Sequence, residues 1–150
     1  MEKSKLGISI GLFGALLYFV GAVGGGIWVV AIAMGYILVF ESSEWLKRTA
    51  IKALIITIFL SVSIVLIQYL FSFASYGFNA LQNLNNIIKG ENYGAYNVSN
   101  LVNFFQYSLT QILNIIQILI HIIFGFAAYK QKDIKIKVID NILDKHFINN

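Results

Sequence analysis

The chain has 150 residues, of which 58% are hydrophobic and only 12% are charged, and its mean hydropathy is +0.75. A soluble domain carries about 25% charged residues, so this composition predicts a membrane protein. There is no cysteine, which excludes disulfide bonds and thiolate chemistry. The two histidines lie far apart and no cluster has the spacing of a metal site, so we expect neither a metal nor a cofactor.

The charged residues are confined to short clusters. Three long runs without Asp, Glu, Lys or Arg separate them, at residues 6–40, 53–88 and 92–129. A transmembrane helix needs roughly 20 apolar residues to cross a hydrocarbon core of about 30 Å, and each run is long enough. Backbone groups in hydrocarbon must be satisfied within helices or a closed barrel, and the alternating pattern of barrel strands is missing. We therefore predict an all-α integral membrane protein with one domain, residues 1–150.

The first uncharged run is too long for one span, since a helix over residues 6–40 would reach about 52 Å. Three consecutive glycines, Gly24 to Gly26, lie near its middle, and glycine permits a sharp turn. The sequence therefore predicts a short helical hairpin with spans at residues 6–22 and 27–40. A single kinked helix is the alternative.

Each of the two later runs predicts one span, at residues 50–73 and 102–129. Helical apolar spacing continues past the third span to about Lys89, so that helix is expected to extend beyond the membrane edge. A turn is expected at residues 90–94. The four spans together predict a four-helix bundle.

The basic residues predict the orientation, because positive charge in short loops is retained in the cytoplasm. With both termini in the cytoplasm, all of the 11 Lys and Arg residues except Lys89 lie on that side. Three spans would instead leave Lys3 and Lys5 outside. The frequent Ile, Asn and Lys residues are typical of AT-rich bacterial genomes, so we expect a multi-pass protein of the bacterial cytoplasmic membrane. Anionic lipid at the cytoplasmic face is the expected partner, and nucleic acid is not.

Span four carries polar side chains at steps of three or four residues, which places them on one helix face. They are Asn103, Tyr107, Thr110, Asn114, Gln117 and His121, and Gln106 and Gln111 widen this polar stripe. A lighter series in span three includes Thr57, Ser61, Gln68 and Ser72.

Unpaired polar groups are costly in hydrocarbon, so both series are expected to face inward. They would form hydrogen bonds between helices, line a wet path or groove, or in part be solvated outside the bilayer. His121 is also a candidate proton-sensitive group, because ionisable side chains are rare within spans.

Span one carries glycines at helical spacing, which lets neighbouring helices approach closely. These glycines are Gly7, Gly11, Gly14 and Gly21. They are expected to pack within the chain, and a homo-oligomer contact is the alternative.

The tail, residues 130–150, combines five lysines with an apolar helical face that contains Ile139, Ile142, Leu143 and Phe147. This pattern predicts an interfacial amphipathic segment on the inner leaflet. A short helix docked on the bundle or on a partner is the alternative.

The order of these segments resembles a known group of proteins. A hairpin of two short glycine-bearing spans is followed by an acidic, aromatic and basic loop, Glu41 to Lys52, two longer spans and a lysine- and isoleucine-rich tail. This order looks like the small four-span bacterial membrane proteins that often carry an N-terminal zinc ribbon. It is more distantly similar to bacterial relatives of the four-helix subunit of the chloroplast inner-envelope translocon. The chain departs from them in lacking the zinc ribbon and all proline, and the resemblance implies topology without catalytic residues.

Three classes of function are compatible with these patterns. The first is a non-enzymatic accessory, scaffold or immunity-type protein that acts through helix–helix contacts with another membrane protein or a second copy. It is favoured because no nucleophile–base pair and no paired carboxylates occur. The second is an oligomeric channel lined by the polar stripe of span four. The third, a membrane enzyme or transporter, is disfavoured because the spans contain no acidic residue.

Overall fold

The computed structural model describes residues 3–23, 26–89, 95–132 and 134–147. The regular elements within these ranges are all helices, so the all-α prediction is confirmed. The five helices are α1 (Ile10–Ala22), α2 (Ile27–Phe40), α3 (Glu44–Lys89), α4 (Ala95–Tyr129) and α5 (Lys137–Phe147). The hinge glycines Gly24 and Gly25 and the turn predicted at residues 90–94 lie outside the described residues.

The first helix begins later than the sequence predicts. Residues before Ile10 form a tight turn, in which the Ser4 amide donates to the Ile8 carbonyl at 2.8 Å and the Gly7 amide donates to the Ser4 carbonyl at 2.9 Å. Gly7 has a φ of +78°, which favours glycine, and the Ser9 hydroxyl caps the helix. The helix thus begins four residues after the start of the predicted span, and Gly7 lies in this turn instead of on the helical glycine face.

α1 and α2 form the predicted helical hairpin, and α2 has the predicted bounds of residues 27–40. The two helices contain 13 and 14 residues, which correspond to about 20 and 21 Å. Val30 and Ile37 of α2 are fully buried, whereas much of the remaining surface of α2 is exposed. The hairpin is thus shorter than the hydrocarbon thickness of about 30 Å.

The two long helices extend well beyond the predicted spans. Ser43 caps α3 by accepting the Leu46 amide at 3.4 Å, and Glu44 suits the positive end of the helix dipole. With 46 and 35 residues, α3 and α4 reach about 69 and 52 Å. Within the described residues, these two helices are long and apolar enough to cross a membrane.

The chain divides into two compact units. The first contains Met1–Phe59 and Gln117–Asn150, and the second contains Leu60–Ile116. The buried hydrophobic residues belong to the first unit, among them Leu17, Ile37 and Leu46. In this unit α1 packs against the adjoining ends of α3 and α4, parallel to α3 and antiparallel to α4. The core therefore lies where the hairpin meets the long helices.

The predicted amphipathic tail is helical from Lys137 to Phe147. Leu143 is buried, and two ion pairs join α5 to the start of α3. In the described structure the tail helix is therefore docked on the first unit, as the alternative prediction had it.

Candidate functional site

His121 is the centre of a buried polar cluster in the first unit, where α1, α3 and α4 meet. Its Nε2 atom lies 3.0 Å from the Thr57 hydroxyl, and its Nδ1 atom lies 2.8 Å from the Gln117 carbonyl. The Thr57 hydroxyl also lies 2.7 Å from the Ala53 carbonyl. Thr57, Gln117 and His121 are all buried, and the contact between Thr57 and His121 joins α3 to α4 in the interior of the unit.

The proton positions in this cluster follow from what each group can donate. A carbonyl only accepts, so the Nδ1 atom of His121 carries the proton that is shared with Gln117. Thr57 has a single hydroxyl proton, which reaches either the Ala53 carbonyl or the Nε2 atom of His121. A neutral ring is thus satisfied when Thr57 donates to it. The cluster pairs every ring nitrogen without an acidic partner, as expected for a contact that holds helices together.

Three of the four predicted glycines lie against other helices of the first unit. A Cβ atom on Gly21 would lie 2.6 Å from the Thr57 hydroxyl oxygen and 2.9 Å from the His121 ring. On Gly14 it would lie 3.1 Å from the Trp45 ring, and on Gly11 it would lie 2.6 Å from the Tyr129 carbonyl. Glycine is therefore needed for the close approach of α1.

One further glycine was not identified from the sequence. Gly125 of α4 faces the Phe19 ring so closely that an added Cβ atom would overlap it. The sequence does indicate its position, because Gly125 follows His121 by four residues and thus lies on the same helix face. Around it, Tyr18 packs on Phe124 and Phe19 packs on Phe126, with ring centroids 5.5 and 5.8 Å apart.

A second polar cluster lies in the second unit, and Gln106 is its central residue. The side-chain amide of Gln106 donates to the Gln68 carbonyl and to the Ser72 hydroxyl, both at 3.3 Å. Thr110, one turn further along α4, is buried, and its hydroxyl has no hydrogen-bond partner among the described residues. Ser61 of α3 is half-buried. Gln68 thus contributes through its backbone rather than through the predicted side-chain contact.

The polar stripe of α4 does not face inward along its whole length. Thr110, Gln117 and His121 are buried and Asn114 is half-buried, but Asn103 and Tyr107 are exposed, with Tyr107 at 67%. The inward prediction is therefore wrong for Asn103 and Tyr107. At their level the contact with α3 is made by Gln106. It lies one residue before Tyr107 and so about 100° round the helix.

Two ion pairs form a third cluster, at the start of α3. Arg48 lies 2.7 Å from Asp144, and Lys52 lies 2.5 Å from Asp140. The Lys52 ammonium also donates to the Ile134 carbonyl at 3.4 Å, and Lys52 is only 2% exposed. The sequence analysis did not identify either ion pair. The sequence pattern that could have indicated these pairs is the equal spacing of four residues between the two bases of α3 and between the two acids of α5.

The environment of Asp140 lowers its pKa. Burial by itself would raise the pKa of this carboxyl, but hydrogen bonds from Lys52 and from the Ile136 amide outweigh it, with help from the charges of Lys52 and Arg48. The carboxylate form of Asp140 is therefore the form that the docked helix stabilises.

The N-terminal turn is held by a buried acid at the end of α2. The Lys5 amide donates to both carboxylate oxygens of Glu41, at 3.0 and 3.1 Å. Ser4 and Glu41 are both buried. This contact brings the start of α1 and the end of α2 together, so both ends of the hairpin lie at the same edge of the first unit.

Within the described residues, no group of three or more His, Asp or Glu side chains is placed to hold a metal ion. Comparison of the chain with protein-family models, with curated protein sequences and with solved structures finds no match in any of the three.

Proposed function

We propose that the chain is an integral protein of a bacterial cytoplasmic membrane that acts without catalysis, through contacts between helices. An accessory, scaffold or immunity-type role fits this description, with another membrane protein or a second copy as partner. The similarity to small four-span bacterial membrane proteins stays a prediction, and it agrees with a role of this kind.

One observation carries the proposal: the long helices expose many large apolar side chains, whereas Thr57, Gln117 and His121 are buried in the first unit. Exposed residues of α3 include Phe59, Leu66, Leu70 and Phe73, and those of α4 include Ile115, Leu119, Ile123 and Phe126. Water would penalise so large an apolar surface, whereas lipid tails would solvate it. Inside the first unit the Thr57 hydroxyl pairs with one ring nitrogen of His121, and the Gln117 backbone carbonyl pairs with the other.

The helix lengths bear on how many times the chain crosses. α3 and α4 exceed the hydrocarbon thickness, whereas α1 and α2 reach only about 20 Å. Gly21, near the end of α1, packs at Thr57, which lies about 18 Å along α3 from Trp45. With Trp45 at the interface, the hairpin would turn back inside the membrane.

The four-crossing arrangement has one observation in its favour. Trp28, at the start of α2, is 75% exposed, and tryptophan prefers the membrane–water interface to its centre. Both arrangements place the N-terminal turn and Glu41 on one side, so the distribution of basic residues supports both equally. We propose the half-depth hairpin because helix length is the stronger constraint.

The second candidate function is an oligomeric channel lined by the polar stripe. Its support is the exposure of Asn103 and Tyr107, which are available to another copy. Against it, the outward residues of α4 from Ile112 to Phe126 are apolar, and Gln117 and His121 are turned into the chain. A pore between copies would need those side chains on the outside.

The experiment that separates the two functions combines oligomeric mass with ion flux. The purified protein is measured in mild detergent and then reconstituted in liposomes, with protein-free liposomes as the control. If the protein acts through contacts between helices, we expect no ion flux above that of the protein-free liposomes. Flux that disappears in Asn114→Leu and Gln117→Leu, together with a ring of defined mass, would establish the channel instead.

A further inference from the structure

We propose that the outward face of α5 is a binding surface for the anionic headgroups of a lipid bilayer. The ion pairs to α3 produce this surface by holding the acidic side of α5 inward. The proposal rests on the membrane location given above, and it adds the residues, the orientation and the chemistry of the contact.

The two acidic residues of α5 face the start of α3. Asp140 and Asp144 lie one turn apart on α5, and each pairs with a base of α3, Lys52 and Arg48. The pairing is antiparallel and in register, and Leu143 is buried on the same side of α5. Both negative charges of the helix are thus neutralised against the first unit.

The exposed side of α5 carries basic, aliphatic and amide side chains. The exposed residues of α5 from Lys137 to Lys145, the part of the helix whose side chains are described, include no acidic residue. They are Lys137, Val138, Asn141, Ile142 and Lys145. Val138 and Ile142 are 70% and 54% exposed. The face therefore combines positive charge with exposed aliphatic groups.

Further exposed lysines lie between the end of α4 and the start of α5. Lys130, Lys132 and Lys135 are exposed and lead from Tyr129, the last residue of a helix that is apolar enough to cross a membrane, towards α5. A bilayer with phosphate groups offers dispersed negative charge above an apolar layer. Lysines would bind the phosphates while Val138 and Ile142 enter the region beneath. A nucleic acid offers phosphate groups without an apolar layer beneath them.

The test uses the full chain in nanodiscs, and the absence of cysteine allows a single label at Asn141→Cys. An environment-sensitive fluorophore there is compared in discs of pure phosphatidylcholine and in discs with added phosphatidylglycerol. We expect protection from a water-soluble quencher to rise at least about twofold with the anionic lipid, and to fall again at high salt. Unchanged protection would overturn the proposal.

Two double variants locate the effect. Lys137→Gln with Lys145→Gln should abolish the response to anionic lipid. Lys3→Gln with Lys5→Gln, which removes the same charge at the N-terminal turn, should leave it. An equal loss in both double variants would mean that only net charge matters, and the surface assignment would be wrong.

Two further measurements distinguish a failure of the proposed membrane function from a failure of the lipid assignment. If sodium carbonate extracts the protein from membranes, the proposed membrane function itself fails. If the protein stays inserted but the label responds to a soluble polyanion such as heparin and not to phosphatidylglycerol, the surface binds another partner and the lipid assignment is overturned.

Discussion

Thr57 and His121 lie 3.0 Å apart, hydroxyl oxygen to Nε2, in the interior of the first unit. Both side chains are buried, and α1 approaches them so closely that only glycine fits at position 21. The predicted polar series of α3, the polar stripe of α4 and the glycine face of α1 thus meet at this hydrogen bond. Three separate sequence patterns describe a single packing contact.

The hydrogen bond between Thr57 and His121 should contribute measurably to stability. Thr57→Val keeps the shape but removes the hydroxyl, so the ring nitrogen is buried without this partner. We expect a loss of about 1–3 kcal/mol in the free energy of unfolding. Thr57→Ser retains the hydroxyl and should lose less than Thr57→Val, as measured by denaturation in detergent micelles. Equal losses would show that the methyl group matters and the hydrogen bond does not.

Substitution by alanine should have opposite effects on stability at Gly21 of α1 and at Gly35 of α2. Gly21→Ala places a methyl group against Thr57 and His121, and we expect a loss of about 1–3 kcal/mol from overpacking. Gly35→Ala in α2 has open space, so the higher helix propensity of alanine should raise stability by about 0.5–1 kcal/mol. Thermal unfolding of both variants checks the prediction. A Gly21→Ala protein as stable as the wild type would contradict the close approach of α1.

The two ion pairs of α5 should contribute unequally to the stability of its docking. Asp140→Ala removes the carboxylate that pairs with the buried Lys52 ammonium, and breaking a buried ion pair costs about 3–5 kcal/mol. Asp144→Ala removes a partially exposed partner of Arg48, and an ion pair of this kind contributes about 0–1 kcal/mol. Protection of the α5 amides from hydrogen exchange measures both effects. If Asp144→Ala opened α5 as fully as Asp140→Ala, the burial of Lys52 would not be the cause.

The docking of α5 should weaken in acid. The pKa of Asp140 is lower in the folded protein than in the unfolded chain. Its contribution is therefore complete above the ordinary pKa of about 3.9 and is lost as pH falls through the lower folded value. After correction for the intrinsic rate of exchange, which itself slows as pH falls, the protection of the α5 amides should be constant near neutrality and decrease below about pH 4. In Asp140→Asn this acid-dependent step should be much reduced, and a step of unchanged size would assign it to another group.

The hairpin should turn inside the membrane. A cysteine at Val23, which is 68% exposed next to the turn, should resist a membrane-impermeant thiol reagent applied from either side. A cysteine at Lys5 should react from the cytoplasmic side and serves as the positive control. Reaction of Val23→Cys from outside the cell would restore the four-crossing arrangement.

Much of the helical organisation is predictable from the sequence, because uncharged runs and glycine clusters encode it locally. α2 has its predicted bounds, and the continuation of α3 to Lys89 follows from helical spacing. The start of α1 was mispredicted because the turn around Gly7 depends on a positive φ and a Ser9 cap, which hydropathy does not report.

The contacts between helices are only partly predictable. Spacing places the glycines of α1 on one face, and the structure buries three of them. Spacing does not say which part of a stripe meets a neighbour, so Gln106 takes the position expected for Tyr107. The pairs of Arg48 with Asp144 and of Lys52 with Asp140 join residues far apart in sequence, and only the fold brings them together.

The most direct test of membrane insertion and orientation is labelling of single cysteines in intact cells and in inverted membrane vesicles that resist carbonate extraction. Cysteines introduced at Lys3 and at Lys132 should react with an impermeant reagent in inverted vesicles and be protected in intact cells. Reaction of either residue in intact cells, or release of the protein by carbonate, would contradict a membrane protein with both termini in the cytoplasm.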